Sequence, residues 1–227
     1  MNNSLSLFQR RVVNRQQFLF CLTEANANGN FKVALLLMTL ILSSLEKQSL
    51  IVSGENLTLR LVTVEDVNDK YLSWLNDPKV NMFLETRFEI QSSEKICAFI
   101  NKLTQSTKDV LFAIVLRESL EHIGNIKIGP INEHHKSAEL SYFIGEKNHW
   151  GKGFASEAIT LCIKIGFEKL ALQKLQAGCY EKNIGSQRAL ERAGFTLEGR
   201  LRSNLLGADG IRQDHLWYGI MREEHQR

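Results

Sequence analysis

The sequence predicts a mixed α/β fold of the α+β kind, a central and mostly antiparallel sheet of about seven strands flanked by about four helices, behind an N-terminal helical extension. Three observations lead there. Leucines alternate with Thr58, Arg60 and Val62 at 57, 59 and 61, the two-residue period of a half-buried strand. Three further strand-like runs follow one another between 110 and 144 with only polar turns between them. A glycine-bearing loop then leads the last of these directly into a long apolar helix.

The elements follow in order from Asn56. Thr63 offers a cap to a first helix carrying Val64, Val67, Tyr71, Trp74 and Leu75 at helical spacing, and Asn76-Asp77-Pro78 ends it, because proline disfavours helix in the residue before it. A second helix spans about Ser92 to Gln105. Val110–Leu116, His122–Ile131 and Ala138–Ile144 form an antiparallel meander. After the loop Gly145–Gly153, a helix to about Leu170 shows Ser156, Thr160, Lys164 and Glu168 as a narrow polar stripe and is otherwise apolar. Leu175–Tyr180 is a strand, Ile184–Ala193 a helix closed by Gly194, and Phe195–Leu206 and Ile211–Met221 are strands joined at Gly207-Ala-Asp-Gly210, where Asp-Gly signals a hairpin.

Residues 1–55 read as an extension of unknown role, and 56–227 as one domain. The run VALLLMTLIL at 33–42 is the most apolar in the chain, but a helix needs about 20 residues to cross a bilayer, so stable membrane insertion is not expected. It lies too far from the N-terminus for a secretory signal and reads as a short helix packed on the domain or on a second chain, which allows a homodimer. With a net charge of +3 and no block of Lys and Arg, nothing suggests a nucleic-acid partner. Cys21, Cys97, Cys162 and Cys179 lack CxxC spacing, which points to free thiols and a reducing, cytoplasmic setting. His134 and His135 sit in a polar turn without a third ligand, so no metal is assigned.

The chemistry-bearing segment is Gly145-Glu-Lys-Asn-His-Trp-Gly-Lys-Gly-Phe-Ala-Ser-Glu-Ala158. A strand entering a helix through glycines presents main-chain N–H groups and the positive end of the helix, so a pyrophosphate can dock on Gly151, Lys152, Gly153, Phe154 and Ala155. His149 adjoins this loop and adds charge when protonated. A strand-to-helix turn also uses glycine for geometry alone. The Walker spacing fails, since Gly153 stands where a hydroxyl should follow Lys152, and a dinucleotide fingerprint fails because GKGFAS lacks the third glycine.

The stretch AELSYFIGEKNHWGKGFASEAI resembles the strand, loop and helix of the GNAT acetyltransferase superfamily, particularly its ribosomal-protein N-terminal acetyltransferase (RimJ/RimL-like) branch. Asn183-Ile-Gly-Ser186 followed by Ala189-Leu-Glu-Arg-Ala-Gly-Phe195 resembles the later motif of that family, and Trp74-Leu-Asn-Asp-Pro78 the end of the branch's first helix. The resemblance implies acetyl-CoA as donor, its pantetheine running along the strand that ends at Phe143, Ile144 and Gly145, against the strand Leu175–Tyr180. Two positions depart from the pattern: Trp150 replaces a polar residue at the loop start, and Leu190 replaces the tyrosine that protonates the leaving thiolate in many members.

Acetyl transfer needs a neutral amine, a donor for the oxyanion and a proton for the thiolate. The resemblance implies that backbone N–H groups near Phe143–Gly145 hold the thioester oxygen. Glu139, on the strand entering the site, is the candidate base, its alternative being a solvated strand carboxylate paired with a Lys or Arg. Tyr142 and Tyr180 are candidate thiolate acids, or else half-buried strand aromatics. Asn183 and Ser186 either contact the pantetheine or cap their helix. The acceptor is an amine, a protein N-terminus or a small molecule, with amino-sugar nucleotides and polyamines as alternatives; residues 76–90 and 203–212 are the expected specificity regions. A non-catalytic acetyl-CoA-binding module is the reading from another class.

Overall fold

The computed structural model describes residues 50–225. The apolar run at 33–42 and the helix expected there lie outside the described residues. One sheet of eight strands organises the rest: β1 (Val52–Ser53), β2 (Leu57–Leu61), β3 (Val110–Leu116), β4 (His122–Asn132), β5 (Ser137–Ile144), β6 (Lys174–Tyr180), β7 (Thr196–Leu206) and β8 (Arg212–Met221). They lie in the order β1-β2-β3-β4-β5-β6-β8-β7. The strand beyond the expected seven is β1, which pairs Val52 with Leu59 and Ser53 with Thr58, so ordered pairing begins before Asn56. Its two residues are too few to show a period in the sequence.

Both faces of the sheet are covered, which explains why β3 reads as an almost unbroken apolar run. Phe112 and Ile114 point to a large core shared with β4, β5 and the helices α4 (Phe154–Lys164) and α5 (Ile184–Arg192), while Ala113 and Val115 point to a second cluster under α1 (Asp69–Asn76), α2 (Pro78–Asn81) and α3 (Ser93–Gln105). Burial of each such Ile, Leu or Phe side chain contributes about 1.5–3 kcal/mol. A last short helix, α6, spans Arg222–His225.

Two boundaries differ from expectation for local reasons. Thr63 opens only a 3-10 turn, Val64–Asp66, because the Asp66 carboxylate takes the Thr63 N–H at 2.9 Å and the Arg60 guanidinium at 2.8 and 2.6 Å, and Val67 returns to extended backbone. The helix starts instead after Asn68, whose side chain accepts the Tyr71 N–H at 2.9 Å. At the other end, α4 does not continue as α-helix to Leu170 but widens into a π-helical turn, Ile165–Lys169. Thr160, Lys164 and Glu168 lie on its exposed side, with Ser156 partly covered.

The feature that positions the site is the one parallel pair. β5 and β6, joined through α4, pair only at Ser137↔Lys174, Ala138↔Leu175 and Glu139↔Gln176. Beyond Glu139 the two strands diverge, while β4 still follows β5 to Ile144 and β8 still follows β6 to Tyr180. The sheet therefore opens between its fifth and sixth strands.

Candidate active site

The opening is edged by polar backbone. Gly145 N–H donates to the Ile123 carbonyl at 2.8 Å, and alternate residues of an antiparallel strand serve the same neighbour, so Phe143 and Gly145 face β4. Tyr142 and Ile144 then turn their N–H and C=O groups to the edge that β6 has left. Of the backbone donors expected from Phe143 to Gly145, this selects Ile144. Gly145 is turned away from the opening and serves another purpose: a Cβ there would lie 2.1 Å from Trp74 Cδ2, so glycine is what lets the Trp74 ring seat against the end of the strand.

The loop after Gly145 is fastened on both sides. Trp74 Nε1 donates to Glu146 at 2.8 Å, and Trp150 Nε1 donates to the Ile144 carbonyl at 2.8 Å. Trp150, the residue that departs from the family pattern, therefore fixes the loop to β5 through its indole instead of offering a polar side chain to a phosphate. In Trp150→Phe the Ile144 carbonyl loses that donor, and acetyl-CoA affinity is expected to fall about three- to tenfold, since such a bond is worth about 0.5–1.5 kcal/mol; an unchanged dissociation constant by calorimetry would contradict this role.

Gly151 and Gly153 take left-handed φ values of 73° and 87°, and a Cβ at either would meet nothing within 4 Å, so the main chain there is open to a ligand. Gly153 caps α4, and the first bond within that helix runs from Glu157 N to Gly153 O. The N–H groups of Phe154, Ala155 and Ser156 are therefore without helical partners and suit an anion.

A groove of about 410 Å³ runs from this helix start along the opened edge. It is lined by Tyr142, Phe143, Ile144, Trp150, Gly151, Gly153, Phe154, Ala155, Asn183 and Ser186, which brings together most of the expected donor-binding residues. Lys152 is exposed on the loop between the two glycines and is not among the lining residues. Sequence reasoning missed Arg188 and Arg192, four residues apart on α5; Lys79, Val80, Met82, Phe83 and Leu84, from the stretch expected to face the acceptor, line this groove as well. The spacing of the two arginines after the Asn183 cap was the signal available. His149 lines the groove, stacks on Phe154 at 5.6 Å and reaches Glu121 at 3.4 Å, so it is held rather than free in solvent.

Tyr142 donates or accepts a 2.8 Å hydrogen bond with the Ser186 hydroxyl, and Ser186 N–H is in turn held by Asn183 Oδ1 at 3.1 Å. Asn183 is thus both helix cap and groove residue. Burial pushes the Tyr142 phenol well above its ordinary value despite the Ser186 bond, so it is a proton carrier at neutral pH. Burial also raises Cys179, against the lowering effect of its bond to Ser186, to about 11, which keeps that thiol from competing as a nucleophile. Leu190, at the family's usual acid position, is fully buried in the core.

Glu139 and Tyr180 are not among the groove-lining residues. Glu139 is exposed on the other face of β5, and among the described residues no ion pair with Lys or Arg engages it. Tyr180 does not reach the groove: its hydroxyl donates to Glu85 at 2.7 Å and accepts from Arg87 at 2.8 Å. On the same face His215 rests over Gly178, where a Cβ would come within 2.2 Å of its Nε2. Burial lowers the His215 pKa while the charges of Glu85 and Glu139 oppose the shift, which places these three groups around one region beside the opening. In the turn before β5, Asn132 Oδ1 accepts the N–H groups of His134 and His135 at 3.1 and 3.0 Å, which gives the turn a structural reason. Among the described residues no cluster of three or more metal-ligating side chains occurs.

Residues 56–196 match the family model described as an acetyltransferase (GNAT) domain. The N-acetyltransferase p20 of Bacillus licheniformis, itself uncharacterised, is 32% identical over 173 residues, 75% of this chain and 96% of its own. YoaA of Bacillus subtilis, likewise named an uncharacterised N-acetyltransferase, is 30% identical over 173 residues, 76% of this chain and 97% of its own. The spermidine N-acetyltransferase of Vibrio cholerae, solved with CoA and spermine, superposes with a TM-score of 0.69 over 77% of this chain and 100% of its own, at 24% identity, and so shares the fold. The sheet that opens at its parallel pair over a glycine-capped helix is that of an acyl-group transferase. The chain belongs to the GNAT family and is an N-acetyltransferase.

Proposed function

We propose that this enzyme takes acetyl-CoA in the groove between β5 and β6 and transfers its acetyl group to a primary amine that enters from the face carrying Glu139. The observation that carries the reading is the divergence of β5 from β6 after Glu139, directly beside a helix start with two left-handed glycines. The pyrophosphate would rest on the N–H groups of Phe154 to Ser156, with Arg188 and Arg192 near the other phosphates. Ile144 N–H would hold the thioester oxygen as it becomes an oxyanion.

Glu139 takes a proton from the incoming ammonium, directly or through water, and the freed amine attacks the thioester carbon. As the C–N bond forms and the C–S bond breaks, the Tyr142–Ser186 hydroxyl pair passes a proton to the departing CoA sulfur and regains one, through water, from the second N–H proton that the amide nitrogen releases. The unpaired Glu139 and the nearby Glu85 favour an acceptor that arrives as a cation. The resemblance to the ribosomal-protein branch supports a protein N-terminus, and a polyamine is the alternative. The same reading assigns the catalytic domain to the described unit, and places it in a reducing, cytoplasmic compartment, in keeping with free thiols at Cys97, Cys162 and Cys179. Among the described residues no helix is long and apolar enough to cross a membrane. The exposed outer strand β7 would accommodate a homodimer.

Thiol release from acetyl-CoA, measured against N-terminal peptides, amino-sugar nucleotides and polyamines, tests the proposal. Turnover with at least one amine is expected. Tight acetyl-CoA binding with no turnover on any of them would instead make the protein a non-catalytic binding module.

A further inference from the structure

The Arg87 guanidinium is drawn in from water: its side chain is only 8% exposed, although no residue of the turn that carries it, Glu85–Phe88, is buried as a whole. A guanidinium is withdrawn from water at a net gain only where its N–H groups find acceptors. Arg87 finds three: the Leu84 carbonyl at 2.8 Å, the Tyr180 hydroxyl at 2.8 Å and the Leu206 carbonyl. Its Cζ also lies 4.2 Å from the centroid of the Phe88 ring and 5.1 Å from that of Tyr180. Apolar packing holds only the entry to the segment, where Leu84 lies on the second core cluster and Phe83 against Tyr180 at 5.6 Å between ring centroids; beyond Arg87, Phe88 is 57% and Ile90 85% exposed.

These contacts join parts of the chain that are distant in sequence. Leu206 lies 119 residues from Arg87, at the end of β7 and the start of the Gly207–Gly210 hairpin. Tyr180 ends β6, the strand that forms one side of the opening. The segments 76–90 and 203–212, which the sequence suggested as acceptor-facing, are thus bridged by a single arginine, and the same bridge sets Glu85 against Tyr180 on the face of Glu139.

We propose that Arg87 is a positioning residue for the acceptor pocket, holding the 84–88 turn and the β7–β8 hairpin at a fixed spacing across the end of β6; this rests on the reading that the amine enters from that face. A planar fork suits three acceptors in different directions, whereas the single ammonium of lysine does not.

The test compares the full-length enzyme with R87A and R87K. Hydrogen exchange read by mass spectrometry is expected to accelerate in both 82–90 and 203–210 and to stay unchanged in 154–164. The acetyl-CoA dissociation constant should remain within about twofold, while KM for spermidine or for an N-terminal seryl peptide, whichever turns over faster, rises about tenfold or more, as expected where buried polar groups lose their partner. R87K should resemble R87A. Unchanged exchange at 203–210, full rescue by lysine, or faster exchange with an unaltered acceptor KM would each overturn the proposal. Failure of the wild-type enzyme to acetylate any amine would count against the functional reading instead, and the exchange result would still decide whether Arg87 bridges the two segments.

Discussion

Replacing Glu139 by glutamine is expected to lower kcat by about 10²- to 10⁴-fold, the range a positioned general acid or base contributes, while the acetyl-CoA dissociation constant stays unchanged. The separation follows from the geometry. Glu139 is the last β5 residue to pair with β6, so it marks the apex of the opening, and its side chain lies on the face away from the donor groove. On the proposed mechanism a residue there would meet the amine without touching the nucleotide. Glutamine keeps the size and the strand pairing and removes only the proton acceptor. The amine must then lose its proton to water, so the rate deficit should shrink as pH rises toward the pKa of the amine. Steady-state kinetics across pH on E139Q check both parts. A variant with wild-type kcat would transfer the base role elsewhere, with His215, which feels the charge of Glu139, as a titratable alternative on that face.

Gly145→Ala is expected to destabilise the fold by about 3 kcal/mol, the upper end for overpacking a dense core, which for a chain of this size is a fall in Tm of about 6–12 °C. The new methyl would stand 2.1, 2.4 and 2.7 Å from three atoms of the Trp74 ring. Trp74 has little room to yield: it is 4% exposed, its indole N–H is bonded to Glu146, and Phe143 packs against it at 6.3 Å between ring centroids. Relief must come from the backbone between β5 and the loop, so acetyl-CoA binding should weaken with stability. The same substitution in a Trp74→Leu background should cost much less, because the ring it strikes is gone. A Tm within 2 °C of the parent for the single variant, by the same scale of effect, would show that the strand end is looser than these contacts imply.

The groove at the start of α4 was legible in the sequence because it is made largely of main chain. Gly151 and Gly153 announce left-handed backbone, Asn183 announces a helix cap, and both lie within local stretches whose spacing carries the information. The contacts that join 76–90 to 203–212 were not legible. Arg87, Tyr180 and Leu206 meet only after the chain has folded, and no local period connects them. Tyr180 illustrates the difference: its place on β6 could be read, but its hydroxyl is held by Glu85 and Arg87 from a turn 93 to 95 residues earlier. The misplaced first helix has a similar origin, since Asp66 could be seen as a helix residue but not as the partner of Arg60 and Thr63 that fixes a 3-10 turn. Gly145 was visible as a loop glycine, while its actual neighbour, Trp74, lies on a distant helix.

The central claim is that the opening between β5 and β6 is an acetyl-CoA site, and calorimetric titration of the full-length protein with acetyl-CoA tests it most directly. Saturable binding at one site per chain, weakened by added salt as expected for phosphates held by Arg188, Arg192 and the start of α4, is the predicted result. Absence of binding at millimolar acetyl-CoA, where even an affinity of about −4 kcal/mol would register, would contradict the account.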